Sequence, residues 1–198
     1  MSKPVAESCL QNQQVILEAL QGVYSLPGEV LEVGSGTGQH AVYFSEHMPH
    51  LYWTPSDLAD QHPGMLMWLS DVNHDRIKSP LILDVDDEVW PVKDMDYVFT
   101  ANTTHIISTA QTQNMFRHIG ATLKSGGIFA QYGPFNYNGN YTSESNARFD
   151  QWLKQRNSDS GIKHYETLVE YAERNGLSPV QDIEMPANNR LLVWEKTI

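Results

Sequence analysis

"VLEVGSGTGQHAVYF" (residues 30–44) is a short apolar run that breaks into a glycine-rich turn and resumes with apolar residues at helical spacing. The pattern predicts a strand over 29–33, a turn over Gly34-Ser35-Gly36-Thr37-Gly38 and a helix over 38–47. Glycine suits such a turn because the backbone must bend sharply and lie against a ligand with no Cβ in the way. Strand, glycine turn and helix together hold nucleotide-containing ligands in several enzyme classes. The question is which ligand this turn takes.

Outward from that unit the alternation continues. Short apolar runs predict strands over 51–55, 80–83, 95–101 and 127–133. Helical spacing marks 7–22, 63–75, 109–123, 143–157 and 163–175. Ser108 and Gln111 form a capping-box pair at the start of the 109–123 helix, and Lys124-Ser125-Gly126-Gly127 supplies a glycine stop at its end. Two last runs, 179–185 and 190–196, flank Pro186-Ala187-Asn188-Asn189 and predict a hairpin. The expected architecture is one α/β domain over 1–198: a three-layer Rossmann-like sandwich with a seven-stranded, mostly parallel sheet and an antiparallel C-terminal strand.

Composition narrows the partners. The 24 acidic residues outnumber the 13 basic ones, a formal charge of −11 with no basic run. Phosphate neutralisation needs a Lys/Arg patch, so a nucleic-acid partner is not expected. The single cysteine, Cys9, allows no internal disulfide, and no apolar stretch reaches membrane-spanning length. A cytoplasmic protein without a membrane partner is the plain expectation.

The turn itself discriminates among ligands. Its spacing is G-x-G-x-G; a dinucleotide fingerprint wants G-x-G-x-x-G, and position 39 is Gln. A P-loop would need Lys and a hydroxyl after the last glycine, where Gln39 and His40 stand. Glu32, Asp57 and Asp84 each end a predicted strand, which predicts three carboxylates around one mouth of the sheet. A charge pair at about 5 Å is worth about 3 kcal/mol at an effective dielectric of about 20. A pyrophosphate beside Glu32 would be repelled on that scale, whereas a ligand carrying an ammonium and a sulfonium would be attracted. S-adenosylmethionine (SAM) fits, with Asp57 accepting from the two ribose hydroxyls and Asp84 beside the adenine edge. Acidic residues after strands also cap helices, so Asp57 and Asp84 each carry two readings when taken singly.

With these residues in place, the chain resembles the class I SAM-dependent methyltransferases. More narrowly, it is similar to the family whose vertebrate member is called methyltransferase-like 26. The resemblance runs over "LEVGSGTGQHAVYF", "PSD" (55–57), "LDV" (83–85), Asn102 and His105, "YGPF" (132–135), "SN..FD" (145–150) and "MPANN" (185–189). It implies SAM as cofactor and a last strand running antiparallel between its neighbours. It also implies that Glu32 and the turn (Gly34, Ser35, Gly36, Gly38) face the methionine half, Asp57 the ribose, and Asp84 and Val85 the adenine. One departure stands out: the family's Arg-Asn pair in the first helix is Gln11-Asn12 here, so an anchoring charge is missing.

Methyl transfer needs an aligned, deprotonated acceptor more than an acid–base constellation. After the fourth strand the chain reads "TANTTHI" (100–106), without the Asn/Asp-Pro-Pro-aromatic loop used on nucleobases. Asn102 is expected on the cofactor floor. His105 is the best candidate general base, because imidazole titrates near neutrality; a packed histidine at a helix start is the competing role. The loop "QYGPFNYNGNY" (131–141) mixes aromatic and amide groups as a pocket wall does. Tyr132 and Phe135, with Asn188 in the hairpin turn, are therefore expected on the acceptor pocket. No metal is expected, since the eight histidines are scattered; "DVDDEVWP" (84–91) reads as a solvated loop. The expected activity is methyl transfer to a small molecule, leaving S-adenosylhomocysteine (SAH). Three alternatives stay open: a SAM- or SAH-binding module without turnover, an NAD-dependent oxidoreductase, against which Glu32 and Gln39 both speak, and a methyltransferase whose acceptor is a basic protein.

Overall fold

A computed structural model describes residues 3–197, so the outermost ends of the expected 1–198 span lie outside the described residues. Seven strands form one sheet: β1 (Gly28–Val33), β2 (Leu51–Asp57), β3 (Leu81–Ile82), β4 (Met95–Ala101), β5 (Leu123–Gly133), β6 (Leu177–Met185) and β7 (Asn189–Lys196). Six helices accompany them: α1 (Glu7–Val23), α2 (Gln39–His47), α3 (His62–Leu69), α4 (Thr109–Thr122), α5 (Glu144–Arg156) and α6 (Tyr165–Arg174). The strand order is β3-β2-β1-β4-β5-β7-β6. The pairings among β3, β2, β1, β4 and β5 are parallel, and β7 runs antiparallel to both β5 and β6. This is the expected mostly parallel Rossmann-like sheet with its reversed C-terminal strand.

Two cores sandwich the sheet, because the interior strands are apolar on both faces. On one, Ile16, Leu17 and Leu20 of α1 and Phe44 of α2 pack on Val30, Trp53, Phe99 and Val193. On the other, Met115, Phe116 and Ile119 of α4 and Leu168 and Ala172 of α6 pack on Leu31, Val98, Phe129 and Trp194. Ser108 and Gln111 complete the capping box in both directions.

Local expectations shift in two places. The helix predicted over 63–75 stops at Leu69, because the chain must straighten for Ile77 to bridge Trp53 of β2. The glycine stop after α4 is no helix cap. Leu123 is already extended and pairs with Met95, and the ladder resumes only at Ile128 opposite Tyr97. Gly126, at φ +77°, turns the intervening bulge.

The order of strands reverses between β1 and β4: β2 and β3 follow on one side, β5 on the other. At such a switch point the loops leave the carboxyl ends in opposite directions and open a crevice.

Candidate cofactor site

A cavity of about 470 Å³ occupies that crevice, within the range of small-ligand sites. Its floor is the glycine turn. The Ser35 and Ser56 backbones and the Ser35 hydroxyl lock the turn to β2: Ser35 N–H donates to Ser56 O at 2.9 Å, and Ser56 N–H to Ser35 Oγ at 3.0 Å. Gly34 (φ +73°) lies so close to the 101–107 segment that a Cβ would sit 2.5 Å from Thr103 Oγ1. Gly36 (φ +54°) has the opposite surroundings: a Cβ there would meet nothing within 4 Å and would project into the cavity.

Asp57, the last residue of β2, braces the turn from the side. Its Oδ2 accepts from Gly36 N–H and its Oδ1 from Leu58 N–H, both at 2.7 Å. Each carboxylate oxygen has a second lone pair left for a ligand on the cavity wall. Asp84 lies just beyond β3; its Oδ1 accepts from Asp86 N–H at 2.9 Å, which makes it a turn former rather than a helix cap. Beside it, Leu83, Val85, Ile106 and Ile107 form an apolar slot closed by Gln111. Asn102 is on the wall in a left-handed conformation (φ +59°), its N–H held by Tyr132 O at 2.9 Å.

Glu32 does not rim the cavity. It is 2% exposed beneath the turn, and its Oε2 accepts from Trp53 Nε1–H at 2.7 Å. Burial pushes its carboxyl up to about 7, with the charge of Asp57 adding, while hydrogen bonds from Trp53 and Ser35 pull back. Among the described residues the wall therefore carries two carboxylates, Asp57 and Asp84, and no Lys or Arg.

His105 also stands behind the wall, although Thr103 and Ile106 on either side of it are part of it. Its ring meets Phe149 of α5 edge-on at 5.1 Å, and its carbonyl accepts from Gly161 N–H. Burial, with the nearby Lys163 charge, lowers the imidazole to about 4, so it is neutral at physiological pH. Lys163 is itself held by the carbonyls of Ile107 (2.7 Å) and Gly161 (3.0 Å).

The three residues expected on an acceptor pocket are not brought together. Tyr132 is buried on the α1 face. Phe135 is buried in the opposite core. Asn188 is exposed in the hairpin turn, where Asn146 Nδ2 donates to its carbonyl at 3.2 Å. The left-handed residues of this turn are Ala187 and Asn188, both at φ +58°.

Unforeseen on the wall are Ala6, Ser8 and Cys9 from the N-terminal segment, and His40 from α2. That segment is strapped across α3 by Trp68 Nε1–H donating to Pro4 O (2.6 Å) and to α2 by Ala6 N–H donating to Gln39 Oε1 (2.5 Å). The signal for His40 was its place two residues after Gly38, in the first turn of α2. Among the described residues no group of His, Cys, Asp and Glu side chains is arranged to hold a metal ion, and no helix is long and apolar enough to cross a membrane.

Sheet order, switch-point crevice and glycine turn define a Rossmann-like methyltransferase fold. An O-methyltransferase family protein from Burkholderia thailandensis shares it with a TM-score of 0.83 and 14% identity, over 96% of this chain and 58% of that one. Human N-acetylserotonin methyltransferase, solved in complex with SAM, gives 0.80 and 15%, over 97% and 53%. An O-methyltransferase family 2 protein from Planctomyces limnophilus, solved with apigenin, gives 0.76 and 14%, over 93% and 62%. The chain thus spans little more than half the length of these proteins, and at such identities the likeness is one of fold. By sequence, the chain belongs to the family described as "Protein of unknown function (DUF938)", whose model matches residues 3–196.

Proposed function

We propose that the protein is a SAM-dependent methyltransferase acting on a small-molecule acceptor in the cytoplasm, with SAH as product. The observation that carries this reading is the chemistry of the cavity wall: two carboxylates at strand ends, an open glycine cradle and, among the described residues, no Lys or Arg. A pyrophosphate or triphosphate would find nothing to neutralise it there, whereas a ribose diol beside Asp57 and an adenine in the slot of Val85 and Ile107 match the wall group for group. A cationic ligand also meets the favourable potential of Asp57 and Asp84. Kinship with the methyltransferase-like 26 proteins belongs to the same proposal and rests on the "SN..FD" and "MPANN" blocks.

When bound, SAM supplies a methyl group on an electrophilic sulfonium. The chain's own part is alignment and proton removal. The turn and Asp57 would hold the adenosyl portion. The neutral imidazole of His105 is competent to take a proton from an acceptor hydroxyl or amine as that atom gains the methyl group. A second reading, a binding module without turnover, is favoured by one observation: His105 stands behind the cavity wall rather than on it.

Calorimetric titration with SAM, SAH and NAD⁺ in parallel tests the reading. Binding of the two adenosyl ligands alone supports it, and SAH formation from SAM with a metabolite extract then separates enzyme from binding module. Binding of NAD⁺ alone, or of none of the three, refutes it.

A further inference from the structure

His40, Asn12 and Cys9 meet at the end of the cavity away from Asp84. The His40 ring stacks on Phe44 at 5.1 Å and meets Phe99 of β4 edge-on at 6.2 Å. Asp84 follows β3, with β2 and β1 between. Packing from two rings fixes the plane of the imidazole. Its Nε2–H donates to Asn12 Oδ1 at 2.8 Å, both groups being buried. Nδ1 therefore carries the lone pair, and its one polar neighbour among the described residues is the Cys9 thiol at 3.9 Å, a weak donor. Cys9 and His40 both line the cavity.

The electrostatics of this end are equally specific. Burial holds the imidazole down to about 4, so the lone pair survives at neutral pH. The Cys9 thiol is pushed up to about 11, chiefly by burial, so it stays a thiol at neutral pH. An acceptor nitrogen on a wall that carries, among the described residues, no Lys or Arg suits an ammonium group.

We infer that His40 Nδ1 recognises the α-ammonium at the amino-acid end of the adenosyl ligand, and that Asn12 is a positioning residue that holds the ring's tautomer. This rests on the SAM reading and adds to it the residues that meet the amino-acid end, at the α1–α2 side of the cavity away from Asp84.

The test compares SAH with 5′-methylthioadenosine, which keeps the thioether and adenosine but lacks the amino-acid end. His40→Phe preserves the ring packing and removes Nδ1. It is expected to weaken SAH binding at least tenfold, as for loss of a hydrogen bond to a charged group, while 5′-methylthioadenosine stays within twofold of wild type. Asn12→Ala should weaken SAH alone, by about threefold, since the ring stays but its tautomer is no longer fixed. If His40→Phe does not fold, His40→Leu, which also has no acceptor atom, carries the same measurement by the same criteria. SAH affinity equal to wild type overturns the inference. So does an equal loss of both ligands in both variants, which would make the ring mere wall packing. Wild-type protein that binds SAH no better than 5′-methylthioadenosine also overturns it while leaving the adenosyl site standing; wild type that binds neither refutes the cofactor reading itself.

Discussion

Replacing Asp57 by alanine removes two things at once, and the structure separates them. One is internal: Oδ2 holds Gly36 N–H and Oδ1 holds Leu58 N–H, each at 2.7 Å. The other is the pair of lone pairs left over, one per oxygen, which matches the two hydroxyls of a ribose. A hydrogen bond to a charged group contributes about 1.5–3 kcal/mol, and about 1.4 kcal/mol is a factor of ten in affinity. Asp57→Ala should therefore weaken SAH at least tenfold and as much as a hundredfold. Asp57→Asn keeps one oxygen for Gly36 N–H but loses the charge, and should fall between wild type and alanine. Calorimetry gives the dissociation constants, and thermal melting without ligand reports the loop. A melting point that falls while SAH affinity stays within twofold of wild type would refute the ribose assignment and leave Asp57 as a brace for the turn.

Glu32 holds its proton in the folded chain up to about pH 7 but releases it near 4.5 when unfolded. Its contribution to stability is thus intact below about pH 4.5 and gone once the pH has risen through 7, a difference of about 3 kcal/mol. Glu32→Gln should gain on wild type by roughly that amount between pH 5 and pH 8 in urea titrations, and parallel curves would refute it. The comparison is between variants because His40 and His105, both lowered to about 4, act oppositely: their contribution is present above 6.5 and is lost as the pH falls through 4. His105→Ala should leave SAH affinity within twofold while SAH formation drops by about a hundredfold; a collapse of affinity would make the residue structural. Gly34→Ala should cost stability, on the order of 2 kcal/mol, from left-handed strain and the Thr103 contact. Gly36→Ala should cost only about 1 kcal/mol of strain but weaken SAH about tenfold by filling the cradle; the reverse ranking would contradict the cavity geometry.

The strands and their alternation with helices were legible because each rests on a local period: apolar runs for β1, β2, β4 and β5, and the Ser108/Gln111 pair for α4. The glycine turn and Asp57 were legible for the same reason, as neighbours at strand ends. What depended on distance was not. Glu32 looked like a rim carboxylate because it ends β1, but its alternation along the strand points it under the turn toward Trp53. Tyr132 and Phe135 share one loop-like segment, yet they are buried in opposite cores. Cys9, Asn12 and His40 come together only because α1 packs against α2, and nothing in either local pattern announces that. The bulge at Gly126 imitated a helix stop because glycine with positive φ serves both.

The reversed strand has a consequence for how this chain is made. Residues 189–196 fill an interior place in the sheet, pairing Ile128 of β5 with Glu195 and Leu177 of β6 with Lys196. Until β7 emerges from the ribosome, β5 is an unpaired edge and β6 has no neighbour to dock on. The sheet closes last, through contacts distant in sequence, the slow kind to form. A nascent chain stalled before Asn189 would present the apolar ladder around Phe129 and Ala130 to other chains, and there β-strand pairing between copies would begin.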